Sequence, residues 1–214
     1  MVAHRKPRSY DASRRREAAE HTRHAILQAA HACFVANGWA GTTMAAIARD
    51  ADVALDTVYA AVGTKSALLR LLIERALSGV DEPVPAGERA YVKAIGDAPD
   101  APTKIARYAA ALRNILPRLA PLVHVLQAAS GAEPELNALW REISERRARN
   151  MRLFAADLAK TGALRPDLSV EEAADVVWAM NSPELYLLLV DGRGWTPERY
   201  ERWLSDSWRR LLLR

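Results

Sequence analysis

The sequence predicts an all-α chain of about nine or ten helices, with no strand among them. Three observations carry this. Apolar residues recur at three- and four-residue steps along most of the 214 residues, the period of a helix with one buried face. Val, Ile and Thr nowhere alternate with polar residues over a strand's length. Helix-opening signals recur instead: Ser169-Val170-Glu171-Glu172 is a capping box, and Ser182-Pro183-Glu184 and Thr196-Pro197-Glu198 each set a capping hydroxyl before a proline at the first helical position.

Residues 1–15 are basic, with Pro7 and few apolar side chains, and read as a disordered arm. A first helix is expected from about Arg16 to Ala36, burying Ile26, Leu27, Ala30, Cys33 and Phe34, until Asn37-Gly38 stops it. Two short helices follow, roughly Thr43–Asp50 and Ala54–Val62, separated only by Ala51-Asp52-Val53. Gly63 closes the second, and Thr64 can cap a fourth helix reaching about Ser78. Residues 79–101, with Gly79, Pro83, Pro85, Gly87, Gly96 and Pro99, read as turns holding one helical piece around Arg89–Ile95. Pro117 and Pro121 are expected to divide the next stretch into Pro102–Leu116 and Pro121–Ser130. Residues 134–160 then place Leu136, Leu139, Trp140, Ile143, Met151, Phe154 and Leu158 on one stripe. The helix opened by Ser169 is expected to kink or restart at Ser182-Pro183. The last helix carries Tyr200, Trp203, Leu204, Trp208, Leu211 and Leu212 on one face.

Composition narrows the function. Cys33 is the single cysteine, which excludes an intrachain disulfide framework and any cysteine-clustered zinc site. The longest purely apolar runs, such as Tyr186 to Val190, fall far short of a membrane span, and the first twenty residues lack the apolar core of a secretory signal, so a soluble, cytoplasmic protein is expected. Charge is uneven. Residues 1–49 carry eight Lys/Arg against three acids, whereas residues 66–214 hold 21 basic and 20 acidic side chains. A basic front on a neutral body suits a polyanion partner for the front alone; a solvated basic tail would look the same. No Gly-rich phosphate loop, nucleophile elbow or HExxH motif is present, so catalysis is unsupported. His21, His24 and His31 read as solvated or DNA-facing rather than as metal ligands, and Cys33 as a core residue; no metal or cofactor is expected.

Two short helices joined by a three-residue turn form a helix-turn-helix, whose second helix enters the DNA major groove. Met44 and Ile47 can meet Val53, Val58 and Val62, and Asp52 tolerates the left-handed turn better than most residues. The segment from Ile26 to Leu68 resembles the DNA-binding domain of the TetR family of bacterial transcriptional regulators. The matching residues are Ile26-Leu27-x-Ala29-Ala30, Phe34, Gly38, Thr42-Thr43-Met44, Ile47-Ala48, Ala51, Val53, Thr57-Val58-Tyr59 and Lys65-Ser66-Ala67-Leu68-Leu69. Pro183-Glu184-Leu185-Tyr186, Gly194-Trp195 and Arg199-Tyr200-x-x-Trp203-Leu204 also resemble actinobacterial members. The resemblance implies a helix-turn-helix DNA-binding domain over 16–65 and a helical ligand-binding and dimerisation domain over 66–214. It further implies a homodimer on a palindromic operator, acting as a repressor that a small-molecule inducer releases. A second reading is a helical ligand-binding or protein-interaction dimer with reduced DNA binding.

By that resemblance Tyr59 and Lys65 contact phosphate, Lys65 together with the free N–H groups of its helix's first turn. Thr42 and Thr43 cap the second helix, a role that alone explains them, and one can also touch phosphate. Arg16 and Arg23 join the set from the basic first helix. The recognition helix departs from strong readers: it has no Arg, Lys, Asn or Gln, leaving Thr57, Leu55 and Asp56 to meet base edges. Val62 stands where many members carry Phe. Candidate pocket residues are polar or aromatic groups in otherwise apolar helices: Tyr108, Leu112, His124, Trp140, Arg147, Met151, Trp178 and Asn181. Arg147 falls where the stripe calls for an apolar residue, so it either pairs with an acidic ligand or extends its head to solvent. Val177, Leu188, Tyr200, Trp203, Leu204, Trp208 and Leu211 are expected in the dimer interface, with intrachain core as the other reading.

Overall fold

The computed structural model describes residues 9–80 and 84–214, and among them every regular element is helical apart from an isolated bridge between Leu164 and Leu213. The chain divides into two units, residues 1–72 and 73–214. The division falls inside a helix, seven residues beyond the boundary drawn after residue 65.

In the first unit α1 runs Ser9–Gly41, α2 Met44–Asp50 and α3 Leu55–Val62, while α4, Lys65–Ser78, begins here and ends in the second unit. Residues 1–8 of the expected arm, with Arg5, Lys6 and Arg8, lie outside the described residues. Residues 9–15 are helical rather than disordered. Helix-forming residues with one-turn pairs account for that: Ser13 donates to Glu17 at 3.0 Å, and Arg16 pairs with Glu20 at 2.9 Å. The helix breaks where Asn37-Gly38 signalled, since Gly38 takes φ 65°, ψ −169°, a conformation essentially closed to other residues. Ile26, Leu27, Phe34, Ile47, Val58, Leu68 and Leu69 are fully buried and hold the helices together.

The second unit adds a 3-10 turn at Ala86–Glu88, then α5 (Ala90–Gly96), α6 (Ala101–Ser130), α7 (Pro134–Lys160), α8 (Val170–Met180), α9 (Pro183–Val190) and α10 (Pro197–Leu212). Local chemistry sets most starts. Asp100 accepts from the Thr103 amide at 2.8 Å, Ser169 and Glu172 complete the capping box, and Ser182 and Thr196 cap α9 and α10. The expected division at Pro117 and Pro121 does not occur; α6 is continuous through both. Each proline forfeits one helical hydrogen bond at a cost of about 3 kcal/mol. Leu116, Leu119, Ala120, Leu122 and Val123 are all buried around them, and burial worth about 1.5–3 kcal/mol per large side chain offsets that loss.

The apolar stripe of α10 is core, not an open face. Tyr200, Leu204, Trp208 and Leu212 are fully buried within the single chain, as is Val177 of α8. Trp208 packs on Tyr108 and Phe154, with ring centroids 5.5 and 6.2 Å away. The interface assignment of Val177, Tyr200, Leu204 and Trp208 is therefore corrected: a single chain already buries them. Trp203 is half-buried against Trp195 and Tyr200, whereas Leu188 and Leu211 remain 61% and 44% exposed.

Two glycines give opposite expectations. Gly38→Ala forces a side chain into a positive-φ conformation and should destabilise the first unit by about 1–3 kcal/mol. Gly96, at the end of α5, has open space where a Cβ would go, so Gly96→Ala should be neutral or stabilising by about 0.4–1 kcal/mol. Urea denaturation of both variants checks the pair.

Candidate DNA-binding face and ligand cavity

The helix-turn-helix is built from local constraints. Thr43 caps α2 by accepting from the Ala46 amide at 3.1 Å. Asp52 takes φ 55°, turning the chain between α2 and α3 as its place in the sequence suggests. Val58 is fully buried and Val62 nearly so, which seats α3 on the domain and leaves its other side to solvent. That side presents Leu55, Asp56 and Tyr59, the first and last 40% and 49% exposed, with Thr57 half-buried beside them.

Several residues assigned to DNA also hold the scaffold. Thr42 is only 1% exposed, with its hydroxyl 2.9 Å from the Cys33 carbonyl and 2.7 Å from that of Gly38. Buried so, it ties the end of α1 and does not face DNA; only Thr43 caps α2. Arg23 donates from Nη1 to the Ala61 carbonyl at 2.5 Å, satisfying an acceptor in the last turn of α3. The Lys65 ammonium lies 4.1 Å from the centroid of the Trp39 ring and donates to the Trp39 carbonyl. Arg16 stays exposed and paired with Glu20. The Cys33 thiol is buried 3.4 Å from an Asp50 carboxylate oxygen; burial first, then the bond to Asp50, raises its pKa, as befits an inert core residue.

The second unit holds a cavity of about 340 Å³. Tyr108, Leu112, Trp140, Arg147, Met151 and Asn181, all named from the sequence, line it beside apolar groups such as Ile73, Ile115 and Phe154. His124 does not: it is exposed on α6. Trp178 lies behind the wall, its ring 4.6 Å below the Arg147 guanidinium carbon and its indole nitrogen buried without a partner. Arg147 does not extend to solvent. It donates to Asn181 Oδ1 from Nε and Nη2, at 3.2 and 2.7 Å, and from Nη2 also to the Trp178 carbonyl. The Asn181 amide in turn donates to the Tyr108 hydroxyl at 3.1 Å and faces Met151 Sδ at 2.9 Å. Burial raises the Tyr108 pKa and lowers that of Arg147.

Periodicity does not reveal the other charged lining groups. Arg89, only 7% exposed, and Arg146 both reach Glu74, at 3.4 and 2.5 Å. Lys104 meets Asp157 at 2.7 Å. Arg89 sits in the turn-rich segment, and the acceptor that draws it in, Glu74, comes from α4; no local sequence pattern signals such a pair. Among the described residues no cluster of three or more His, Cys, Asp or Glu could hold a metal ion, and no helix is long and apolar enough to cross a membrane.

A helix-turn-helix thus precedes, in sequence, a helical unit that holds a cavity. Residues 26–72 match the family model of bacterial regulatory proteins, tetR family. Solved structures share the all-helical fold. NalD, the secondary repressor of the MexAB-OprM multidrug efflux pump in Pseudomonas aeruginosa, is similar at 20% identity and TM-score 0.67 over 92% of this chain and 98% of that one. SmeT in complex with triclosan is similar at 20% identity and TM-score 0.69 over 90% and 92%. PfmR, a TetR family regulator from Thermus thermophilus, matches at 20% identity and TM-score 0.62 over 87% and 93%. No curated protein matches the chain.

The two threonines should separate in stability measurements. Thr42→Val leaves buried carbonyls without their hydroxyl and should cost about 1–3 kcal/mol. Thr43→Ala, which loses an exposed cap, should cost about 1 kcal/mol. Chemical denaturation reads both.

Proposed function

We propose that the chain is a cytoplasmic transcriptional repressor that binds a palindromic operator as a homodimer and leaves it when a small molecule enters the cavity of the second unit. The observation that carries this is the helix-turn-helix, with α3 seated through Val58 and Val62 and Leu55, Asp56 and Tyr59 turned to solvent. NalD's description as a repressor and the triclosan held by SmeT support the repressor and inducer parts by analogy of fold.

In this reading Tyr59 donates its hydroxyl to phosphate. Lys65, resting on Trp39, brings its positive charge to a phosphate at the start of α4. Thr43, Arg16 and Arg23 border the same contact, and Thr57, Leu55 and Asp56 meet base edges. The pocket roles of Tyr108, Leu112, Trp140, Met151 and Asn181 follow from their place on the cavity wall. The dimer contact falls to exposed Leu188 and Leu211 with half-buried Trp203. A helical ligand-binding dimer with weakened DNA binding is the second reading, favoured by one observation: α3 has no Arg, Lys, Asn or Gln.

Gel shift against the DNA upstream of the protein's own gene distinguishes the two, since specific retardation is expected only of a regulator. Because phosphate contacts outnumber base readers, log affinity should fall steeply with log salt, by about 0.9 for each phosphate neutralised. Lys65→Ala should flatten that slope by about one per protomer and weaken all sequences alike, while Thr57→Ala should lower only the preference for operator over random DNA. For the dimer, Leu188→Glu should shift light scattering to a monomer with unchanged helicity; a native monomer in the unmutated protein would refute the dimer.

A further inference from the structure

The charges on the cavity wall are unbalanced. Arg89, Arg146, Arg147 and Asp157 line it. Lys104 neutralises Asp157, and one carboxylate, Glu74, is shared between Arg89 and Arg146. Arg147 has no carboxylate within ion-pair distance among the described residues, and Glu184 acts on it only from farther away. Its hydrogen-bond partners, the Asn181 side chain and the Trp178 carbonyl, are neutral.

Those bonds account for the N–H groups on Nε and Nη2, three of the five a guanidinium carries. The two on Nη1 take no part in them. These bonds and the stacking of the guanidinium on the Trp178 ring, 4.6 Å from its centroid, hold the side chain in place, but none of them supplies a counter-charge. Holding a largely buried cation without a counter-ion is costly, and the cost is recovered when an anion arrives. Apolar groups, among them Leu112, Ile115, Met151 and Phe154, form much of the rest of the wall, and the volume of about 340 Å³ lies at the small end of the range for organic ligands.

We infer that this cavity takes a hydrophobic carboxylate, a small apolar body bearing one anionic group that accepts from Arg147 Nη1. The inference rests on reading the cavity as the ligand site. In a largely apolar pocket a charge-assisted hydrogen bond is stronger than a neutral one, and the surplus of arginine opposes a cationic ligand of the same shape.

Three probes of one body and different charge test it: naphthylacetate, naphthylacetamide and naphthylethylamine, titrated into the full-length protein by calorimetry. Naphthylacetate should bind about ten- to a hundred-fold more tightly than the amide, and the amine more weakly than either. Arg147→Gln should remove the advantage of the carboxylate while leaving the amide's affinity in place, and Arg147→Lys should restore part of it. Should Arg147→Gln fail to fold, the ranking in the unmutated protein decides alone. Equal binding of carboxylate and amide overturns the inference and leaves the cavity a ligand site. A folded Arg147→Gln protein that keeps the preference overturns the role of Arg147. Binding of none of the three overturns both the inference and the reading of the cavity as a ligand site.

Discussion

Between Met180 and Pro183 the chain leaves α8 and enters α9, and the carbonyls ending α8 lose the amide donors that a continuous helix would supply. The Ser182 amide bonds the Ala179 carbonyl at 3.4 Å rather than that of Trp178. Arg147, reaching across from α7, takes the Trp178 carbonyl instead, and Tyr200 of α10 donates its hydroxyl to the Met180 carbonyl at 2.9 Å. Two orphan acceptors at one break thus recruit side chains from two other helices, as buried backbone polar groups require. Asn181, 3% exposed, extends the arrangement to Tyr108 on α6 and Met151 on α7. Part of the polar character of the cavity, that of Arg147, Asn181 and Tyr108, is tied to this interruption, whereas Arg89, Arg146 and Asp157 line the wall independently of it.

What the sequence disclosed and what it hid divide along the same line. Helix starts were legible because a cap is a contract between residues three apart: Thr43 with Ala46, Ser169 with Glu172, Ser182 with Leu185. So was the Gly38 break, which only glycine can hold. The proline pair in α6 misled because its penalty is local while the burial that overrides it is tertiary. The amphipathic stripe of α10 misled differently. Periodicity tells which residues are buried, not whether the same chain or a second copy covers them, and Tyr200, Leu204 and Trp208 are covered from within.

Six of the eight residues singled out as polar or aromatic groups in otherwise apolar helices lie on the cavity wall. His124 met that criterion and yet faces solvent, because a polar residue on a long helix is equally at home on its outer side. Arg89, Arg146 and Glu74 escaped notice because opposite charges on distant segments carry no periodic signature; they declare themselves only once α4 and α7 bring them within 2.5–3.4 Å.

In the first unit, scaffold and contact draw on the same residues. Arg23 secures the end of α3, Thr42 ties down the segment before α2, and Lys65 rests on Trp39. Each such contact ties a side chain of the unit to the frame that carries α3. The exposed side of α3 carries one hydroxyl-bearing ring, one carboxylate, one leucine and Ala60, and none of the side chains that read base edges bidentately.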